Sequence, residues 1–347
     1  MQRTIKKRDP GLFDYQSRMG DLSEKGYPLE KLDQRIVWEI FREELEGVFA
    51  SPSQGLGGRP RYDVVLMFKV LVLQRYYNLS DEQTEFQIND RLTFQKFLGL
   101  TLSDKAPDEK TIWLFREGLV KAGVVEKLFK MFERHLSEAG LTGQAGKIID
   151  ASFVDVPRQR NSREENEIIK GGGVPVVFGE NENRLRQKDV EARWTKKGEE
   201  VHYGYKNHVK ADEKTKLIED YAVTAASVHD SQVVEALIEK GDGVLHADSA
   251  YRGEEIEKVL EEKGIRSEIH ERAYRNRPLT EAQKILNRQK SKIRVRVEHI
   301  FGQMTNGMRD GLKMRWIGTR RIAAGVGLLN LVYNMVRYEQ MMRLRLA

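Results

Sequence analysis

Asp150, Asp248 and Glu298 sit in settings that point to chemistry. A chain with 53 Asp and Glu residues offers many acidic triplets, so local context has to choose among them. Asp150 follows Ile148 and Ile149 inside KIIDASFVDV (147–156), where an unpaired carboxylate would carry a large desolvation penalty and so needs a metal ion or a tight partner. Asp248 closes the apolar run of VLHADS (244–249), which puts a second acid at the carboxyl end of a strand, where α/β sheets gather their ligands. Glu298, in IRVRVEHIFG (293–302), borders an apolar stripe at the edge between core and solvent. Singly, each acid reads equally well as half of an ion pair, a cap or a turn residue. Together, on adjoining elements, the three could converge on a hard divalent cation. Cysteine is absent, which removes disulfides and thiolate sites and leaves carboxylates, His and water as ligands. Mg²⁺ suits that donor set.

Cationic residues surround these acids. Lys and Arg exceed Asp and Glu by 59 − 53 = 6, and a pI near 9.2 makes nucleic acid a reasonable partner. NRQKSKIRVR (287–296) holds five basic residues and no acid. Such a run is ordinarily a solvated helix face; leading directly into Glu298, it reads as a phosphate-binding stretch with Lys292, Arg294 and Arg296 as contacts. Arg294 precedes Glu298 by one turn, so it is either an i,i+4 salt bridge in the weaker orientation or a phosphate contact beside the metal. Lys206 and His208 in YGYKNH could line the site from a strand beside Asp150. Trp194, Lys196 and Lys197 in ARWTKKG either touch DNA or belong to a solvated loop with one packed Trp. Arg59 and Arg61 in GGRPRYD could meet phosphate or form a solvated turn. Asp230 suits the N-cap of the helix that follows it.

The elements that must position these residues fall into two parts. Residues 29–140 carry apolar positions at helical spacing and almost no strand-like alternation. The helix holding Val64, Val65, Met67, Phe68, Val70, Leu71 and Leu73 is apolar on nearly every side and should be the buried centre of an N-terminal helical domain. Ser80 with Gln83 has capping-box spacing, and Gly140 stands where a left-handed cap would end the last of these helices. Beyond Gly143 the period changes. Ile149, Ala151 and Phe153 alternate along a strand at 147–156, and two further strands, 201–211 and 217–224, flank the turn residues Asp212, Glu213 and Lys214. A helix at about 231–240, a strand at 244–249, a helix at about 254–263 and a short strand near 266–270 follow. This order is that of an RNase H-like mixed-sheet α/β core. Residues 158–200, rich in Arg, Lys, Glu, Asn and Gly, read as a mobile insertion. Thr280 and Gln283 cap a long helix whose stripe Ile293, Val297, Ile300, Phe301, Met304 forms one packed face, and a last helix spans about 320–343. The domains expected are therefore 1–143, helical, for DNA binding and dimerisation, and 144–347, catalytic. The N-terminus lacks the apolar centre of a signal peptide. The apolar stretch 322–336 is too short to span a bilayer and carries Asn330 and Asn334. A cytoplasmic, nucleoid-associated protein with no membrane contact is expected.

The strings KIIDASFVDVP, KKGEEVHYGYKNHVKAD, VTAASVHDSQ, HADSAYRG and IRVRVEHIFG, in this order, resemble the successive motifs of bacterial insertion-sequence transposases of the IS-five group, within the DDE class. Residues 56–100 resemble the helical N-terminal region of that group. The resemblance implies an RNase H-like nuclease and strand transferase in which Asp150, Asp248 and Glu298 are the catalytic, metal-holding acids. Asp150 would bridge two Mg²⁺ ions, with Mn²⁺ a substitute. Water would first release 3′-OH ends at the terminal inverted repeats, and those ends would then attack target double-stranded DNA. Joining two ends implies a homodimer or higher oligomer. The wider family's Tyr, Arg, Glu, Lys signature reads here Ser291, Arg294, Glu298, Thr305, so Arg and Glu match while Tyr and Lys do not; Lys292, Arg296 and Arg309 are the candidate replacements. Two rival readings are a catalytically inactive, transposase-derived DNA-binding protein and a structure-specific nuclease of the same fold.

Overall fold

A computed structural model describes residues 11–49, 60–143, 146–275 and 277–344; Arg59 lies outside them. The five strands expected from alternation, joined by one at Arg193–Lys197 inside the stretch expected to be a mobile insertion, form a six-stranded sheet. β1 (Lys147–Asp155) pairs antiparallel with β3 (Glu200–Asp212), Asp150 opposite Val209. The other edge of β3 carries β2 (Arg193–Lys197) near one end and β4 (Ile218–Ala225) near the other, both antiparallel. On its far side β1 runs parallel to β5 (Val244–Ala247), which runs parallel to β6 (Arg266–Ile269). An antiparallel meander with two parallel strands added at its first member is the mixed sheet of an RNase H-like core.

Side chains alternate across this sheet and feed two cores. Ile149, Leu245, Ala247 and Ile269 pack beneath helix Glu254–Glu262 with Val234, Leu237 and Leu260. Ile148, Val209 and Ile218 join a much larger cluster on the opposite face, continuous with Phe41, Phe68 and Phe132 of the N-terminal helices and Val297, Ile300 and Met304 on either side of Glu298. Helix Val64–Tyr76 is buried on nearly all sides, with Asp63 capping it through Val65 and Leu66 N–H. Helix Thr319–Leu344 is equally apolar around its circumference and lies between the N-terminal helices and the sheet. Two buried asparagines clasp it there. Asn330 exchanges amide hydrogen bonds with Asn207 of β3, and Asn334 takes both backbone groups of Ile218 in β4. No helix among the described residues is long and apolar enough to cross a membrane.

Four local expectations change. Residues 158–200 carry regular elements: helices Arg163–Lys170, Val176–Gly179 and Glu182–Arg186, then β2. Buried Phe178 and Asp189 anchor them, Asp189 accepting from Tyr205 Oη and the N–H groups of Ala192 and Gly318. The helix expected at 231–240 shrinks to the turn Asp230–Val233 and helix Val234–Leu237, because the chain extends at Ile238 and then enters Gly241 and Gly243 with positive φ. His229, not Asp230, caps that turn by accepting from Ser231 N–H. The capping box at Thr280 and Gln283 does form, but its helix stops at Arg294. At Val295, which keeps helical backbone angles, the hydrogen-bond ladder is interrupted and Glu298 N–H bonds only three residues back, after which helix Arg296–Gly302 follows.

Candidate active site

The parallel register Lys147–Leu245 and Ile148–His246, continued two residues, brings Asp150 beside Asp248 at the carboxyl ends of β1 and β5. Asp150 is mostly buried, its side chain 15% exposed. One oxygen accepts the N–H of Ala151 at 2.8 Å and the other accepts Arg294 Nη1 at 3.0 Å. Burial pushes its carboxyl up to about 6; the Asp248 charge pushes the same way, while the Ala151 N–H, Arg294 and Lys197 oppose them. Asp248 Oδ1 caps the turn Ser249–Tyr251 through Ala250 N–H at 2.7 Å, which leaves Oδ2 free of hydrogen bonds among the described residues. Glu298 lies on helix Arg296–Gly302, more than half exposed, and accepts Arg294 Nη2 at 2.9 Å.

Arg294 therefore does both less and more than a salt bridge within one helix. Its two terminal nitrogens bridge Asp150 and Glu298, one each. Among the described residues no three His, Asp or Glu side chains are gathered as a cage for one ion. The donor set nonetheless fits a hard divalent cation. Two neighbouring carboxylates, one buried and reluctant to ionise, leave a negative site that a single guanidinium offsets from one side.

The cations expected to meet DNA divide. Lys196, Lys197 and Lys292 are exposed, and Lys197 lies 5.9 Å over the ring of Phe153, near enough for its charge to act on Asp150. Arg296 is half-buried and donates to Glu213 O at 2.6 Å. Lys206 is buried, bonded to Val228 O and Asp230 Oδ1, both at 2.7 Å; its charge is neutralised inside the fold. His208 is fully buried against Thr224, and burial pushes its imidazole down to about 4, so it is neutral. Arg61 donates to Phe49 O. Of the candidate replacements in the signature, Arg309 packs its guanidinium over Tyr77. Ser291 faces His270 and Asn287 O, and Thr305 lines a cavity of about 400 Å³ with Phe153, Lys197, His202 and Lys313.

Tyr251 escaped the sequence reading. It is fully buried, its hydroxyl has no partner, and burial with the charges of Asp150, Asp230 and Asp248 raises its pKa well above the ordinary value. Its place three residues after Asp248 was the available signal, but the polar neighbours in DSAYRG gave no sign that its ring is buried.

Residues 142–335, more than half of the chain, match the family model of the transposase DDE domain. Residues 17–118 match a second model, a transposase domain (DUF772). A solved structure, the cryo-EM piggyBac transposase synaptic complex with hairpin DNA, is similar at 13% identity and a TM-score of 0.47, over 92% of this chain and 76% of that one.

Proposed function

The chain belongs to the transposase DDE domain family, whose members cleave DNA and transfer strands, and from that premise we propose which residues carry the reaction here. Asp150, Asp248 and Glu298 hold divalent ions, Mg²⁺ by preference with Mn²⁺ as a substitute. When bound, such ions activate the attacking oxygen and relieve charge on the leaving one. The observation that carries this reading is the Arg294 bridge: a guanidinium at 3.0 Å from Asp150 and 2.9 Å from Glu298 supplies the positive charge that the acids require in the free protein. Arg294 then changes partners, leaving the carboxylates for a DNA phosphate, and that release lets Glu298 turn toward the aspartates. Lys197 and Lys292, both exposed, steady the phosphate backbone beside it. Lys313, on the cavity that also takes in Thr305, provides the cation that the signature lacks at 305.

The motif order supports placement in the IS-five group of insertion-sequence transposases, acting on terminal inverted repeats and target duplex. Residues 1–143 bind DNA and contribute to pairing of two copies; that residues 17–118 match a transposase domain supports their belonging to the same machinery. Asp248→Asn tests the site. The amide keeps the cap on Ala250 N–H, so the variant folds and binds DNA as wild type does. It loses Mg²⁺-dependent cleavage and strand transfer by several orders of magnitude, because a neutral oxygen is a poor ligand for a hard cation. Cleavage near the wild-type rate in the same preparation would remove Asp248 from the site.

A further inference from the structure

β6 leaves the sheet one strand over from Asp248, at the same end, its register fixed by Ala247 opposite Ile269 and by His270 N–H on Ala247 O. The chain that follows is held firmly. Glu271 is clamped by Asn287, which accepts its N–H at 2.8 Å and donates to its carbonyl at 3.0 Å, and its carboxylate pairs with Arg252 at 3.1 Å. Lys290 holds Ile269 O at 2.8 Å. Beyond this stem, Tyr274 and Arg277 exchange backbone hydrogen bonds at 3.1 and 3.0 Å and close a tight turn before the chain re-enters helix Glu281–Arg294 at its Thr280 cap.

What the turn displays is unusual for a surface loop. Arg272, Arg275 and Arg277 are exposed, and none of their guanidinium groups has a hydrogen-bond or ion-pair partner among the described residues. No acid lies between Arg272 and Thr280. Tyr274 stands 60% exposed among them. Exposed Arg288 and Lys292 continue the positive charge along the helix to Arg294. Uncompensated like charges on a clamped stem repel one another, and a polyanion relieves that repulsion. An aromatic ring carried among guanidiniums adds a stacking face for a base that has left its pair.

We propose that the turn at Tyr274–Arg277 is a DNA grip beside the acids: Arg272, Arg275 and Arg277 take backbone phosphates, and Tyr274 stacks on an unpaired base at a strand end. The inference rests on the transposase reading, which supplies the DNA. It gives the stem clamps a purpose, since a grip set one strand from Asp248 fixes the distance between the held strand and the acids.

The test uses the full chain and two probes, a blunt duplex and the same duplex with a short single-stranded 3′ tail, with binding followed by fluorescence anisotropy across salt. Replacing Arg272, Arg275 and Arg277 together by Ala makes the slope of log affinity against log salt shallower by about three on both probes. Tyr274→Ala weakens binding of the tailed probe by about tenfold and leaves the blunt one unchanged, while Tyr274→Phe behaves as wild type. All four side chains are exposed, so unfolding midpoints stay at the wild-type value. A wild type that binds steeply with an unchanged slope in the triple variant overturns the grip alone. Equal loss on both probes in Tyr274→Ala overturns the stacking role. A wild type with no salt-dependent DNA binding overturns the transposase reading and this inference with it.

Discussion

Asp150 shows most clearly what the free protein gives up to keep a carboxylate where it is needed. Its ordinary pKa of 3.8 is pushed up to about 6 in the fold. Between those values the unfolded chain releases a proton that the folded chain keeps, so stability falls as pH rises through the window and the full penalty is present above it. The shift corresponds to at most about 3 kcal/mol. Asp150→Asn, measured in chelator, should therefore unfold at higher denaturant than wild type at about pH 7, with the gap closing as the pH is lowered toward about 4. A gap that widens on acidification would mean that Asp150 is stabilised by ionisation, in which case Arg294 outweighs burial. Sequence context put Asp150 inside one apolar strand and Asp248 at the end of another, and the sheet register sets the two side by side. It was not enough for Lys206: strand periodicity gives the face of a residue but not what stands opposite, and Asp230 comes from a turn more than twenty residues away.

At the scale of elements, alternation located five of the six strands and Thr280 marked a helix start, but β2 and the helices before it lay in a stretch too polar to show a period. The sequence marked less well where the helix leading to Glu298 would be interrupted. Val295 is not a helix breaker and keeps helical backbone angles, and the residues beyond it, Val297 and Ile300, are buried in the large core. Asn330 and Asn334 read as interruptions of an apolar stretch; in the fold they are its most specific contacts. Asn334 satisfies both the N–H and the carbonyl of Ile218 from a fully buried position. Asn334→Leu keeps roughly the volume and strands both backbone groups, so it should destabilise the protein by about 2–5 kcal/mol in urea unfolding. A loss under about 1 kcal/mol would show that β4 finds other partners and that the clasp is dispensable.

For the molecule as a whole, the helical N-terminal part and the sheet were legible as two regions, but the core that joins them was not. Helix Thr319–Leu344, apolar on every side, carries no directional signal in its sequence, yet it belongs to the one cluster that runs from Leu29 to Met341. The account depends on divalent ions sitting at the end of β1 and β5, and the most direct test is to make the ion mark its own position. With Fe²⁺ in place of Mg²⁺ and with ascorbate and peroxide added, radicals formed at the bound ion cut the nearest backbone. The account predicts cuts beside Asp150 and Asp248, joined by cuts near Glu298 once DNA is bound, all suppressed by excess Mg²⁺ and absent in Asp248→Asn. Cuts that cluster elsewhere in the chain, or that persist unchanged in Asp248→Asn, would contradict it.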